Sequence, residues 1–301
     1  MDERTEELAN ANKRLVRLSE ANSRFVPDEF LDHLGKEGIE DVMLGDHVER
    51  HMTLVFKDIR GFAKISEALN PEENFAFINT YLAGVVPIIQ KNGGFIDKFI
   101  GDSVMALFHD DAGLAIRTAF EFEDFLETFN TAQLKKGKHK VRVGTGIHTG
   151  HLILGTIGHS NRLETTVVSD AVNTASRIEG LSKYYDAKVI ATEATLKEIK
   201  NGEEFNYRFL DKVKVKGKST TIEVYEFLSP KDVEKLRTLR DYKKGIAMIR
   251  ERKIDEASQI FKKLAKSQPQ DKAVAIFAER CSNYLQYKTE KWNEITQMMT
   301  K

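Results

Sequence analysis

The sequence predicts an α/β sandwich built on a mixed or antiparallel sheet, with helical segments at both ends. Long helical patterns and short apolar strands alternate from residue 49 to about residue 228. Within that stretch, crossovers long enough to hold a helix stand beside hairpins such as "FIDKFIGDSVMALF" (95–108), and a purely parallel sheet has no such hairpins. Before residue 27 and after Pro230 the period is helical throughout.

Composition narrows the class. Of 301 residues, 41% are hydrophobic and 31% charged, as in a globular protein with exposed helices. Lys+Arg and Asp+Glu both number 46, so no global charge points to nucleic acid or an anionic membrane. Cys281 is the single cysteine, which excludes an internal disulfide framework and fits a reducing compartment. No apolar run reaches the ~18 residues of a membrane span, and residues 1–27 lack a signal-peptide core. A soluble, cytoplasmic chain is expected, with membrane attachment only through an upstream region missing from this sequence.

The elements follow in order. Residues 1–26 carry Leu8, Ala11, Leu15, Leu18, Asn22 and Phe25 in 3-4 alternation, about three heptads of coiled-coil seam. An Asn at position 22 of that seam favours a parallel, in-register dimer. A solitary amphipathic helix packed on the domain is the alternative. Residues 27–48 read as a short helix and a connecting segment. "HMTLVFKDI" is a strand, and Pro71 opens a helix that Gly93-Gly94 ends. The 95–108 hairpin comes next, then a long helix over 111–137 and strands around Gly150 in "KVRVGTGIHTGHLILGTIG". "DAVNTASRIEGLSKYY" is a helix with Asp170 near its N-cap, and "AKVIAT", "FNYRFLDKVKV" and "TTIEVYEFL" complete the strands, with a short helix at 192–199. Residues 230–301 resemble one tetratricopeptide-like helical hairpin plus a further helix, with Ala247, Ala257, Phe261 and Pro269 at fitting positions. One repeat cannot bury its own face, so it is expected to pack on the α/β domain or on a partner. The chain thus divides into 1–26, 27–48, 49–229 and 230–301.

Several residues could carry chemistry. Lys98 and Asp102 sit in a largely apolar hairpin, which suits either a surface turn or a site that needs a fixed cation and a fixed anion. Asp58 ends a second apolar strand, and such carboxylates either cap turns or hold a hard divalent cation together with substrate phosphates. The strand-to-helix turn through Gly61 and Phe62 exposes amides suited to phosphate oxygens, although neither GxxxxGK[ST] nor GxGxxG occurs. Asn173 and Arg177, four apart, share one helix face that is either solvated or aimed at sugar and phosphate. Lys214, Lys216 and Lys218 form a solvated basic strand or a phosphate contact.

Taken together, "FKDIRGF", "DKFIGDSVMALF", "GIHTG", "TVVSDAVNTASRIE" and "VKGKS" resemble, in order and spacing, the motifs of class III nucleotidyl cyclases over residues 49–228. The lead-in "RFVPDEFLDHLGKEGIEDVMLGD" resembles that of bacterial members. The resemblance implies a ferredoxin-like, palm-like sandwich and two divalent cations, Mg²⁺ or Mn²⁺, held by Asp58, Asp102 and the Ile59 carbonyl. It further implies that Lys98 and Thr166 read the purine, Asn173 orients the ribose, and Arg177 meets transition-state charge. Lys216 would hold the terminal phosphates, with Gly61 and Phe62 beside them. Lys with Thr is the adenine-type pair of this family, so ATP is the expected substrate, with a guanylate cyclase or a silent nucleotide-binding domain as alternatives. Sites shared across a head-to-tail homodimer are also implied. Two positions depart from the pattern: His151 stands where some relatives have Arg, and Ser169 replaces a frequent Gly.

Overall fold

The computed structural model describes residues 3–200, 205–214, 220–287 and 295–297. Helix α1 (Glu3–Asn22) and the short α2 (Asp28–Leu34) lead into strand β1 (His47–Ile59). Two helices follow, α3 (Phe62–Glu67) and α4 (Pro71–Lys91), then strands β2 (Gly94–Ile100) and β3 (Ser103–Phe108) and helix α5 (Ala112–Lys135). Strands β4 (Val143–His159) and β5 (Arg162–Val168) precede helix α6 (Asp170–Tyr185), strand β6 (Val189–Thr192) and helix α7 (Glu193–Lys197). Strands β7 (Asn206–Lys214) and β8 (Thr221–Leu228), helices α8 (Val233–Arg250), α9 (Ile254–Ser267) and α10 (Lys272–Tyr287), and strand β9 (Ile295–Gln297) complete the described chain.

The sheet is mixed, in the order β2-β3-β1-β4-β6-β8-β7-β9, with β5 paired to β4 off that path. Most pairings are antiparallel, while β4–β6 and β7–β9 are parallel. Alternation along β1 sends Val55 and Ile59 into a core with Phe77, Tyr81 and Val85 of α4 and Ala115, Ile116 and Ala119 of α5. Met52, Leu54 and Phe56 point the other way, against Phe30 of α2 and Ala171 and Ala175 of α6. Helices therefore cover both faces. Helix α6 lies directly on β4, where a Cβ on Gly146 would meet the Glu179 backbone nitrogen at 2.2 Å. Only glycine permits that approach.

Helix starts follow the sequence chemistry. Asn70 and Glu73 form a capping box ahead of Pro71. Ser169 caps α6 by accepting from the Ala171 amide, and its hydroxyl donates to the His151 carbonyl at 3.0 Å. The Ser169 departure thus has a local reason: it is the N-cap that a glycine would leave without a side chain.

The structure corrects several expectations. Residues 143–159 form one continuous 17-residue strand where several strands around Gly150 were expected, and Gly150 lies inside the ladder opposite Met52. Strand β5 has no counterpart among the expected elements, because "RLETTVV" carries only a short apolar end. Helix α1 ends at Asn22, short of Pro27, and its Leu8, Leu15 and Leu18 are exposed. Among the described residues no helix is long and apolar enough to cross a membrane.

The C-terminal helices pack on the sandwich. Ile246, Ile249, Phe261, Phe277 and Cys281 share one core with Ile178 and Leu181 of α6 and Leu210 and Val213 of β7. A buried ion cluster pins them. The Arg208 guanidinium, 1% exposed, donates from Nε to Glu226 at 2.7 Å and from both Nη atoms to Asp271 at 2.6 and 3.0 Å. Lys235 Nζ reaches the other Glu226 oxygen at 2.6 Å, and the guanidinium lies over the Tyr242 ring.

Candidate active site

Two adjoining regions collect the candidate residues. At the end of β1 and the β2–β3 turn, Ser103 Oγ donates to Asp58 Oδ1 at 2.5 Å, and the Ile59 amide donates to Asp102 Oδ2 at 3.1 Å. Burial, and then the charge of Asp58, pushes the Asp102 carboxyl up to about 6. Beneath them Tyr81 Oη is buried without a partner, and its pKa is raised by burial and by the charges of Asp102 and Asp58.

This donor set fits a hard divalent cation. Burial and the neighbouring Asp58 charge both disfavour an ionised Asp102, and a divalent cation between the two carboxylates would offset that cost. Among the described residues no cluster of three or more His, Cys, Asp or Glu side chains is assembled for a metal. Two carboxylates and a strand carbonyl would leave the remaining positions to water and phosphate, as Mg²⁺ prefers.

The second region joins the β2–β3 hairpin to the β4–β5 hairpin. Lys98 Nζ donates to Thr166 Oγ1 at 2.8 Å, with Thr166 buried. Two carboxylates flank the ammonium: Asp97 Oδ2 at 3.6 Å and Glu164 Oε1 at 3.8 Å. A bulge in β2, where the register with β3 shifts between Ile96 and Lys98, places Asp97 there. Burial lifts the Asp97 carboxyl to about 6 against the pull of Lys98.

On α6, Asn173 is exposed, and Arg177 is half-buried one turn further on. Gly61 takes a left-handed φ of +73° and caps the six-residue α3. The Phe62 ring turns away into the core against Phe77, which leaves only its main chain for a substrate. Lys216, with Gly217 and Lys218, lies outside the described residues. The imidazole of His151 pairs with Glu49 at 3.2 Å on the surface.

A family model described as the adenylate and guanylate cyclase catalytic domain matches residues 47–229, more than half of the chain. The chain belongs to this cyclase family. The adenylate cyclase of Anabaena cylindrica is 42% identical over 219 residues, covering 71% of this chain and 44% of that protein. The terminal-differentiation specific adenylate cyclase of Dictyostelium discoideum is 37% identical over 281 residues, covering 90% of this chain and 13% of that protein. Since 230–301 is nearly a quarter of the chain (72 of 301 residues), that match reaches into the C-terminal helices. The crystal structure of the adenylyl cyclase CyaB from P. aeruginosa is 30% identical with a TM-score of 0.56, covering 61% of this chain and 96% of that one. The chain spans less than half the length of the curated relatives it matches.

Three neighbours of this candidate site are not marked in the sequence. Asp97 was hidden because it occupies a bulge, Glu164 because β5 was unforeseen, and Tyr81 because it reads as one more apolar position of α4. The charge of Asp97 inside "GFIDKFI" was the one available signal.

Proposed function

We propose that the chain is an adenylate cyclase that converts ATP to 3′,5′-cyclic AMP and pyrophosphate, with residues 49–229 as catalytic domain. The observation that carries this reading is the Lys98–Thr166 hydrogen bond in a member of a family that serves both bases. With one Lys98 proton engaged by Thr166, the remaining ammonium protons can donate to adenine N1. Thr166 Oγ1 keeps a lone pair to accept from the 6-amino group. Guanine presents an N1–H donor toward the lysine and is disfavoured.

Cyclisation forms a bond between the ribose 3′-oxygen and the α-phosphorus and breaks the bond to pyrophosphate, with the 3′-hydroxyl proton lost to solvent. Two divalent cations, Mg²⁺ or Mn²⁺, held by Asp58, Asp102 and the Ile59 carbonyl, would supply the Lewis acidity that lowers the hydroxyl pKa and neutralises the triphosphate. Asn173 orients the ribose, and Arg177 meets the charge that builds on the α-phosphoryl oxygens. Lys216 and the main chain at Gly61 and Phe62 hold the terminal phosphates.

The active form in this proposal is a head-to-tail homodimer. Asp58 and Asp102 come from one protomer, while Lys98, Thr166, Asn173, Arg177 and Lys216 come from the other. Exposed apolar side chains on both hairpins (Phe99, Ile100, Ile153, Ile157, Leu163 and Val168) support a covered surface there. The exposed Leu8, Leu15 and Leu18 of α1 support a parallel coiled coil that sets the rotation of one protomer against the other. The test is purified protein with ATP and Mn²⁺, followed by product identification. Equal amounts of cyclic AMP and pyrophosphate are expected, and ADP, AMP or no product overturns the proposal.

A further inference from the structure

Helix α6 runs unbroken from Asp170 to Tyr185, carrying Asn173 and Arg177 in its first half and Tyr185 as its last residue. At 1.5 Å per residue, Arg177 and Tyr185 are about 12 Å apart along a stiff rod, so a tilt of about 5° at one end moves the other by about 1 Å. What holds the far end therefore fixes the near one.

Two devices hold it. Arg60, which directly follows Asp58 and Ile59, pairs with Asp186 at 2.5 Å and donates to the Ser182 carbonyl at 2.9 Å and to the Ala187 carbonyl. These carbonyls lie at the helix end, where a guanidinium complements the dipole. The second device brings in a residue from outside the matched cyclase region, Arg280. The hydroxyl of Tyr185, 1% exposed, donates to Asp211 Oδ2. The same carboxylate accepts both arms of Arg280 of α10, Nη1 to Oδ1 at 3.0 Å and Nη2 to Oδ2 at 2.7 Å. Asp211 is itself 1% exposed. It follows a bulge in β7, where the register with β8 shifts between Phe209 and Asp211. Five residues later on the same run of chain lies Lys216. One buried carboxylate thus ties together the helix of Asn173 and Arg177, the strand that leads to Lys216, and helix α10.

We infer that Arg280 is a positioning residue for the catalytic site, acting through Asp211 and Tyr185 to set where α6 presents Arg177. The inference rests on the adenylate cyclase reading for the role of Arg177. It makes the C-terminal helices a working part of the catalytic unit. The bidentate pair suits this task, because a planar fork on a carboxylate fixes direction as well as distance. Since Arg60, just after β1, holds the same helix end, loss of Arg280 misplaces α6 without releasing it.

The test uses the full chain with Arg280→Ala, Arg280→Lys and Tyr185→Phe, each also combined with Arg177→Lys. A misplacement of this size predicts kcat for cyclic AMP formation lower by about tenfold in Arg280→Ala, with KM for ATP within about twofold. Arg280→Lys recovers part of the loss. In the Arg177→Lys background the Arg280→Ala effect shrinks, since both act through one guanidinium. Hydrogen exchange gives a readout independent of turnover: Arg280→Ala and Tyr185→Phe speed exchange in 170–185 and 206–214 and leave 71–91 and 112–135 unchanged. Unchanged kcat, fully additive losses with Arg177→Lys, or faster exchange confined to 233–287 overturns the inference. Tyr185→Phe carries the test alone if Arg280→Ala does not fold. A wild-type chain that makes no cyclic AMP refutes the cyclase reading instead, and hydrogen exchange still decides whether Arg280 fixes α6.

Discussion

Replacing Asp97 with asparagine should stabilise the protein at neutral pH. The Asp97 side chain is 2% exposed and sits in a bulge beside Lys98, 3.6 Å from the ammonium. Burial lifts its carboxyl from an ordinary 3.8 to about 6. A rise of about two units at about 1.4 kcal/mol each makes ionised Asp97 about 3 kcal/mol costly to the folded state. Above pH 6 both folded and unfolded chains carry the charge, and this cost is complete. As pH falls from about 6 to about 4, the folded state takes up its proton first, so the cost disappears and wild type gains stability relative to the variant. Asparagine keeps the size and removes the charge. The attraction of Lys98, 30% exposed, is already contained in that raised value, so losing the ion pair subtracts nothing further. The net expectation is a gain of up to about 3 kcal/mol at pH 7 that fades towards pH 4. Urea unfolding followed by circular dichroism at pH 4, 5, 6 and 7 measures it. A pH-independent difference, or destabilisation at pH 7, would refute the reasoning. The same variant should raise KM for ATP, because Asp97 helps hold Lys98 against Thr166.

Other outcomes follow from the same geometry. Asp102→Ala and Arg177→Ala should each abolish cyclic AMP formation, and an equal mixture should recover about a quarter of wild-type activity through heterodimers with one intact site; no recovery would place both residues in one protomer's site. Asp271→Ala leaves the buried Arg208 fork half-paired and should lower stability by about 3–5 kcal/mol in urea unfolding. A change under about 1 kcal/mol would show that the cluster does not pin α10. Removing residues 1–26 should alter dimerisation or activity, read by analytical ultracentrifugation and turnover, and unchanged values for both would remove the coiled-coil proposal.

Much of this was legible from residue pattern, and the limits have physical causes. The helix from Pro71 was legible because an opening proline and the Gly93-Gly94 stop are local signals, and the 95–108 hairpin because Gly-Asp interrupts two apolar runs. Strand β5 was not, since "RLETTVV" becomes a strand only by pairing with the far half of β4. Strands are legible around Gly150, but not that one ladder runs through it, because a glycine inside a ladder looks the same in sequence as one in a turn. The Lys98–Thr166 contact joins residues 68 apart and came from family resemblance alone, with no local pattern behind it. Asp97 and Asp211 owe their positions to β-bulges, which shift a side chain's direction without leaving a periodic trace. The C-terminal helices were expected to need a surface to cover, and the sandwich supplies it through Leu210 and Val213.

The central claim is that Lys98 and Thr166 select adenine. It is tested most directly by giving the purified protein ATP and GTP together at equal concentration with Mn²⁺ and measuring both cyclic products. The account predicts cyclic AMP in large excess, an excess that shrinks in Lys98→Ala. Cyclic GMP as the main product, or a product ratio that Lys98→Ala leaves unchanged, would contradict it.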